Sequence, residues 1–367
     1  MTIRERMMAV YRNGRPDRVP VAVYGRYLPR GSGERMAREL GLGIIDWYPV
    51  ASLLAPPWHL DSRYLSEVKG AELSVGYAWR EGRRVETRTY RTPVGTVRQE
   101  STVEPGYGSD WVLEHYVKGP EDYKVLAYLA EHTVFRRHEA GLRARAEELG
   151  EDGVVLGRID RNPYQKVLIE LAGPERFLID LHTDPRPAVE LLEVLARRME
   201  EVFAMVLESQ AEVIWQPDNL TADMTPPAAF RKHCLPMYQQ YGSRLRAAGK
   251  RYMIHMDGRL GPLKDLIAGA PVDLIESFSL PLVGGDLPLS EARAAWPGKV
   301  ILPNFPATLC LQSDGAIEAF LDQLLAEAGT QGPWMLQFSE DIPAGQWQRV
   351  MPLVCRFMEQ TFPRKRS

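Results

Sequence analysis

Cysteine is scarce in this chain. Three residues, Cys234, Cys310 and Cys355, are spread through 367 positions. An odd count, wide spacing and no Cys-x-x-Cys pair exclude a disulfide framework and a four-cysteine zinc site. A surplus of one charge is missing too. Lys and Arg number 45 against 48 Asp and Glu, a formal net charge of −3, so no overall field recruits nucleic acid or an anionic membrane. No apolar run approaches the ~18 residues of a membrane span. The opening Met1-Thr2-Ile3-Arg4-Glu5-Arg6 has no apolar signal core, and a cytoplasmic setting is the expectation. There is no Gly-x-x-x-x-Gly-Lys loop, Gly-x-Ser-x-Gly elbow or His-Glu-x-x-His pair, so a nucleotide cofactor, serine hydrolysis and zincin chemistry find no support. The basic end, Pro363-Arg364-Lys365-Arg366, reads as a solvated tail.

What the chain does have is alternation. Eight short apolar runs are predicted as strands: Val19 to Tyr24, Ile44 to Val50, Val154 to Ile159, Val213 to Gln216, Tyr252 to Met256, Asp273 to Phe278, Val300 to Pro303 and Trp334 to Phe338. Each is apolar through its middle, as parallel strands covered on both faces must be. Amphipathic stretches lie between most of them. One starts at Asp184-Pro185, with Leu192, Leu195, Met199, Val202 and Val206 at helical spacing. Another begins near Thr225-Pro226-Pro227 and runs to Ala248 before Gly249, and a third spans Asp314 to Ala328 before Gly329. The expected fold is α/β, a (β/α)8 TIM barrel of one domain. An open doubly wound sheet is the rival, without its usual glycine-rich turn. Residues 71–117 break the rhythm and read as a β-hairpin insertion around Thr92-Pro93-Val94-Gly95, either a cover for the barrel mouth or an edge decoration.

Barrel enzymes place reacting groups at the C-terminal ends of strands. There this sequence carries Arg158 and Asp160, Asp218 and Asn219, His255 and Asp257, Glu276, and Glu340 and Asp341. His255 and Asp257 are two residues apart and point the same way. With Glu340 they can form a divalent metal site, a proton-transfer group oriented by a carboxylate, or a satisfied polar network at the rim. Glu276 and Asp218 are candidate bases or fourth ligands. Arg26, Arg158 and Arg161 can take a substrate carboxylate through paired hydrogen bonds, or serve as surface ion pairs. Asn304 can bind substrate or shape a turn, and Tyr24, Tyr164, Trp47 and Tyr48 can wall a pocket or simply pack.

Several short motifs resemble the uroporphyrinogen decarboxylase-like superfamily, which includes corrinoid-linked methyltransferases. They are the lead-in Asp17-Arg18-Val19-Pro20, the run Gly25-Arg26-Tyr27-Leu28-Pro29, Gly173-Pro174-Glu175-Arg176-Phe177, and His255 followed by Gly258. Thr92-Pro93-Val94-Gly95-Thr96 is closer to the methyltransferase branch. The resemblance spans nearly the whole chain and implies a barrel and a homodimer. It also implies departures. Asp257 stands where the methyltransferases have a zinc-binding cysteine. Glu340 stands where they have a second and where decarboxylases have histidine. Ala22 replaces one arginine of the decarboxylase motif, while Arg26 matches the other.

Carboxylates are harder ligands than thiolates, so a His255, Asp257 and Glu340 set would take zinc, manganese or iron and polarise oxygen or activate water. The leading expectation is metal-assisted alkyl transfer, chiefly demethylation of a small methylated compound, with a separate corrinoid protein as acceptor. A decarboxylase of a polycarboxylated, tetrapyrrole-like substrate, bound by Arg26 and Arg158, is the alternative. A ligand-binding barrel without catalysis is the third.

Overall fold

The computed structural model describes residues 1–28, 31–51, 67–103, 110–330 and 332–361. Pro29 of the Gly25-to-Pro29 motif, part of the insertion and the basic tail lie outside the described residues.

Twelve strands build the barrel and the insertion: β1 (Val21–Tyr24), β2 (Gly43–Pro49), β3 (Glu72–Arg80), β4 (Arg83–Thr92), β5 (Gly95–Val103), β6 (Asp110–Glu114), β7 (Gly153–Arg158), β8 (Val213–Leu220), β9 (Arg251–Met256), β10 (Leu274–Phe278), β11 (Val300–Pro303) and β12 (Leu336–Phe338). Eight of them form one parallel sheet in the order β11-β10-β9-β8-β7-β2-β1-β12. The ends meet through a parallel bridge between Asn304 and Gln337, with the Phe305 N–H donating to the Gln337 carbonyl at 2.7 Å. The sheet is thus a (β/α)8 barrel, and each of the eight expected runs contributes a strand.

Apolar side chains divide along each strand with period two. Ala22, Ile45, Leu156, Trp215, Met253 and Leu274 belong to a cluster inside the barrel. Val23, Ile44, Ile214, Ile254 and Ile275 belong to the larger cluster between strands and helices. Asp314–Ala328 is helical as expected, with Ser313 as its N-cap and Gly329 at φ 74° closing it. The helix expected from Asp184-Pro185 runs Arg186–Glu208, because Asp184 instead ends the preceding helix Pro174–Thr183. The stretch expected from residue 225 to 248 is helical but interrupted by a π turn, Phe230–Cys234, before Leu235–Ala247. Pro236 explains the break, since it lacks an N–H and crowds the carbonyl four residues earlier.

The insertion is larger than a hairpin. β3 to β6 form a four-stranded antiparallel sheet in sequential order. Glu81 and Gly82, both with positive φ, turn β3 into β4, the two-residue turn whose twist matches that of the strands. At the next turn the Thr92 hydroxyl donates to the Gly95 carbonyl at 2.9 Å and accepts from the Val94 N–H at 3.2 Å.

Candidate active site at the barrel rim

Two residues beyond Leu156, Met253 and Leu274, on the same faces of their strands, stand Arg158, His255 and Glu276. Above them opens a cavity of about 760 Å³, lined among others by Tyr24, Trp47, Arg158, Trp215, His255 and Asp257. The insertion reaches it through Gln99 and Val112, which favours a cover over an edge decoration.

Glu276 anchors the floor. It is 1% exposed and accepts from the Tyr24 hydroxyl and from Trp215 Nε1, the latter at 3.1 Å. His255 Nδ1 lies 2.7 Å from the same carboxylate. That contact aims His255 Nε2 into the cavity, 3.5 Å from Asp257 Oδ2. Burial works against charge on the imidazole, but the carboxylates of Glu276 and Asp257 outweigh it and carry its pKa to about 10. Asp257 responds in kind. Burial would raise its pKa, yet the His255 proton and the Asn219 amide hold it below the usual carboxylate range. Burial and Glu276 push the Tyr24 phenol well up, so it remains a donor.

Arg158 is the opposite case. It is 2% exposed, its Nε has no hydrogen-bond partner, and its guanidinium meets no carboxylate at ion-pair distance among the described residues. Its guanidinium lies over the face of Trp215, 5.6 Å from the ring centre. Burial, with Arg161 nearby, depresses its pKa to about 10. Arg161, by contrast, is tied to Glu170 at 2.8 Å and to Asn219 at 2.6 Å. Arg26 also lines the cavity, its guanidinium 5.1 Å from the Tyr27 ring centre.

The other expected site residues separate. Glu340 lines the cavity and is within electrostatic reach of His255 and Asp257. Burial raises its carboxyl pKa, and the Ala307 N–H opposes that. Among the described residues, however, no three His, Cys, Asp or Glu side chains are grouped so as to hold a metal ion. Asp218 is fully buried in the helix layer, accepting from the Tyr238 hydroxyl and, at 2.7 Å, from the Asn162 N–H. Asp160 pairs with buried Lys166 at 2.9 Å. Tyr164 stacks on His233 with ring centres 5.0 Å apart. None of these three lines the cavity. Asn304 sits behind it, its Oδ1 accepting from the Ser339 N–H and hydroxyl.

Sequence reasoning did not single out Trp215, Ser277 or Glu170. Trp215 reads as one more apolar strand residue. Ser277 reaches the cavity because β10 shifts register between Ile275 and Phe278, with Ser277 at φ 59°, and no motif announces such a bulge. Glu170 gave a weak signal, lying four residues after Lys166 on a helical stretch.

Residues 166–348 match the family model for uroporphyrinogen decarboxylase (URO-D). No curated protein matches the chain. Its fold is similar to that of a methyltransferase from Methanosarcina mazei, with a TM-score of 0.59 and 14% identity over 99% of each chain. The family match over residues 166–348 supports a uroporphyrinogen decarboxylase-like superfamily member, and the eight-stranded barrel with ionisable groups at its strand ends agrees with it.

Proposed function

We propose that the chain is an enzyme that removes an alkyl group, chiefly methyl, from a small molecule bearing one carboxylate or comparable oxyanion. The observation that carries this is Arg158, a buried guanidinium with no anionic partner among the described residues, opening on the same cavity as His255. An unpaired buried cation is costly unless an anion arrives with the ligand. The lining includes three arginines and five carboxylates, which suits one anionic group. An eightfold anion such as a tetrapyrrole precursor would be repelled.

With the anion on Arg158 and the apolar body against Trp47, Trp215 and Tyr24, the heteroatom that carries the alkyl group faces His255. The bond from alkyl carbon to heteroatom breaks, and the heteroatom keeps the electron pair and takes the Nε2 proton. The carbon passes to an external nucleophile, which a separate corrinoid protein would supply. Glu276 and Asp257 keep the proton on His255 until that moment. The methyltransferase from Methanosarcina mazei, alike in fold along the whole chain, is of the same reaction class.

The test is a panel of small O-, N- and S-methylated carboxylic acids with reduced cobalamin as acceptor. Formation of methylcobalamin and the demethylated acid is expected, with none from the corresponding amides. Release of carbon dioxide without methyl transfer would make the chain a decarboxylase and overturn the proposal.

A metal-assisted version rests on one distance. The 3.5 Å between His255 Nε2 and Asp257 Oδ2 is long for a hydrogen bond. It is close to the roughly 3.4 Å between two tetrahedral ligands about 2.1 Å from zinc. Among the described residues the arrangement supplies two such ligands. Protein purified without chelator decides the matter. About one ion per chain, lost in His255→Ala, would establish this version, and less than about a tenth would discard it.

A further inference from the structure

We infer that two copies of this chain join through β3, which pairs antiparallel with itself about Gly76. β3 is the outer strand of the insertion sheet, and among the described residues it has a neighbour only on its β4 side. It pairs with β4 in nine unbroken steps, and residues 72–80 contain no proline or lysine. Long, flat edge strands without such protection are templates for another strand. Its apolar row is exposed, with Tyr77 at 62% and Trp79 at 76%. These side chains share a face with Arg88 and Gln99 through the cross-strand pairs, and Gln99 lines the cavity.

The occupant follows from the order of residues. Glu72-Leu73-Ser74-Val75-Gly76-Tyr77-Ala78-Trp79-Arg80 is complementary to its own reverse. Laid antiparallel on a second copy with Gly76 on the twofold axis, Glu72 faces the other copy's arginine at position 80. Leu73 faces the other tryptophan and Val75 the other tyrosine. Opposite charges and large apolar pairs on facing positions both stabilise a sheet, and a twofold interface demands this self-complementarity. The neighbouring charges continue the alternation. Arg80 is held by Glu100 at 2.7 Å, and Glu72 lies 3.7 Å from Arg91. The two sheets become one of eight strands, with both cavities on the same face.

Single cysteines test the register, because the three native cysteines are all buried. Facing Cα atoms in an antiparallel pair are about 4.5–5.5 Å apart, within disulfide range. Gly76→Cys is therefore expected to cross-link to its copy on mild oxidation. Ser74→Cys, whose copies would lie roughly 14 Å apart, should do so on the order of tenfold more slowly. A mixture of Ser74→Cys and Ala78→Cys should cross-link as a heterodimer. Tyr77→Lys should weaken dimerisation on the order of tenfold in sedimentation while leaving the circular dichroism spectrum unchanged. A monomer at every concentration up to about 100 µM, or equal cross-linking at positions 74 and 76, would overturn the interface. Neither outcome bears on the reaction proposed above.

Discussion

Replacing Arg158 with methionine is expected to make the protein more stable and almost inactive. The guanidinium is buried without an ion pair among the described residues, and its pKa falls from the ordinary arginine range to about 10. At 1.36 kcal/mol per pKa unit, that corresponds to about 3 kcal/mol of unfavourable burial. The sign is definite. A base whose pKa is depressed on folding destabilises the fold wherever it is charged, here at every pH below about 10. Methionine keeps much of the apolar stem against Trp215 and removes the charge, so unfolding free energy at neutral pH should rise by about 1–3 kcal/mol. Activity moves the other way. A substrate anion that loses a desolvated guanidinium loses about 2–5 kcal/mol, which is about 30-fold to 5,000-fold in kcat/KM. Arg158→Lys keeps a charge but not the two-pronged donor, and should recover only part. Urea denaturation and steady-state kinetics check both halves. A variant that is destabilised, or that keeps kcat/KM within about threefold, would remove Arg158 from substrate binding.

Removing His255 should cost more in the chemical step than in binding. His255→Gln is expected to lower kcat by about 100-fold to 10,000-fold, the range for loss of a positioned general acid. In the parent enzyme, kcat/KM should hold through neutral pH and fall as pH rises through about 10, where the imidazolium loses its proton. Glu276→Gln removes a carboxylate 2.7 Å from Nδ1, so this limb should move down toward the ordinary histidine value of about 6.5. The same linkage appears in stability. A histidine whose pKa is raised on folding stabilises the fold fully below about 6.5 and loses that contribution as pH rises through about 10. The gap in unfolding free energy between parent and His255→Gln should therefore narrow across that window. A parent profile with no alkaline limb, or one that Glu276→Gln leaves in place, would show that His255 does not donate the proton.

Much of the site was legible before any fold was known, and the unread remainder has a specific cause. His255 and Asp257, two apart at a strand end, had to share a face, and they do. Asp218 was expected beside them and lies in the helix layer. The residues leading to it, Val213-Ile214-Trp215-Gln216, show no apolar and polar alternation, because a parallel strand is covered on both sides. The inward set could thus be the odd or the even positions, and packing chose Val213 and Trp215. Asp160 fails differently. β7 ends at Arg158, so the chain turns before period two can carry Asp160 inward.

The amino-acid order by itself determined the eight strands, the main helices between them and the strand ends where ionisable groups stand. Those are set by local periodicity and by where prolines and glycines interrupt it. Only the tertiary structure decided that one carboxylate, Glu276, gathers a tyrosine, a tryptophan and a histidine from three other strands. It likewise left Arg158 without an anionic partner among the described residues while tying Arg161 to Glu170. His255 and Glu276 meet as register partners on adjacent strands, but the Tyr24 contact depends on barrel closure, which sets β1 opposite β10 across the interior. No interaction between neighbours in sequence encodes that.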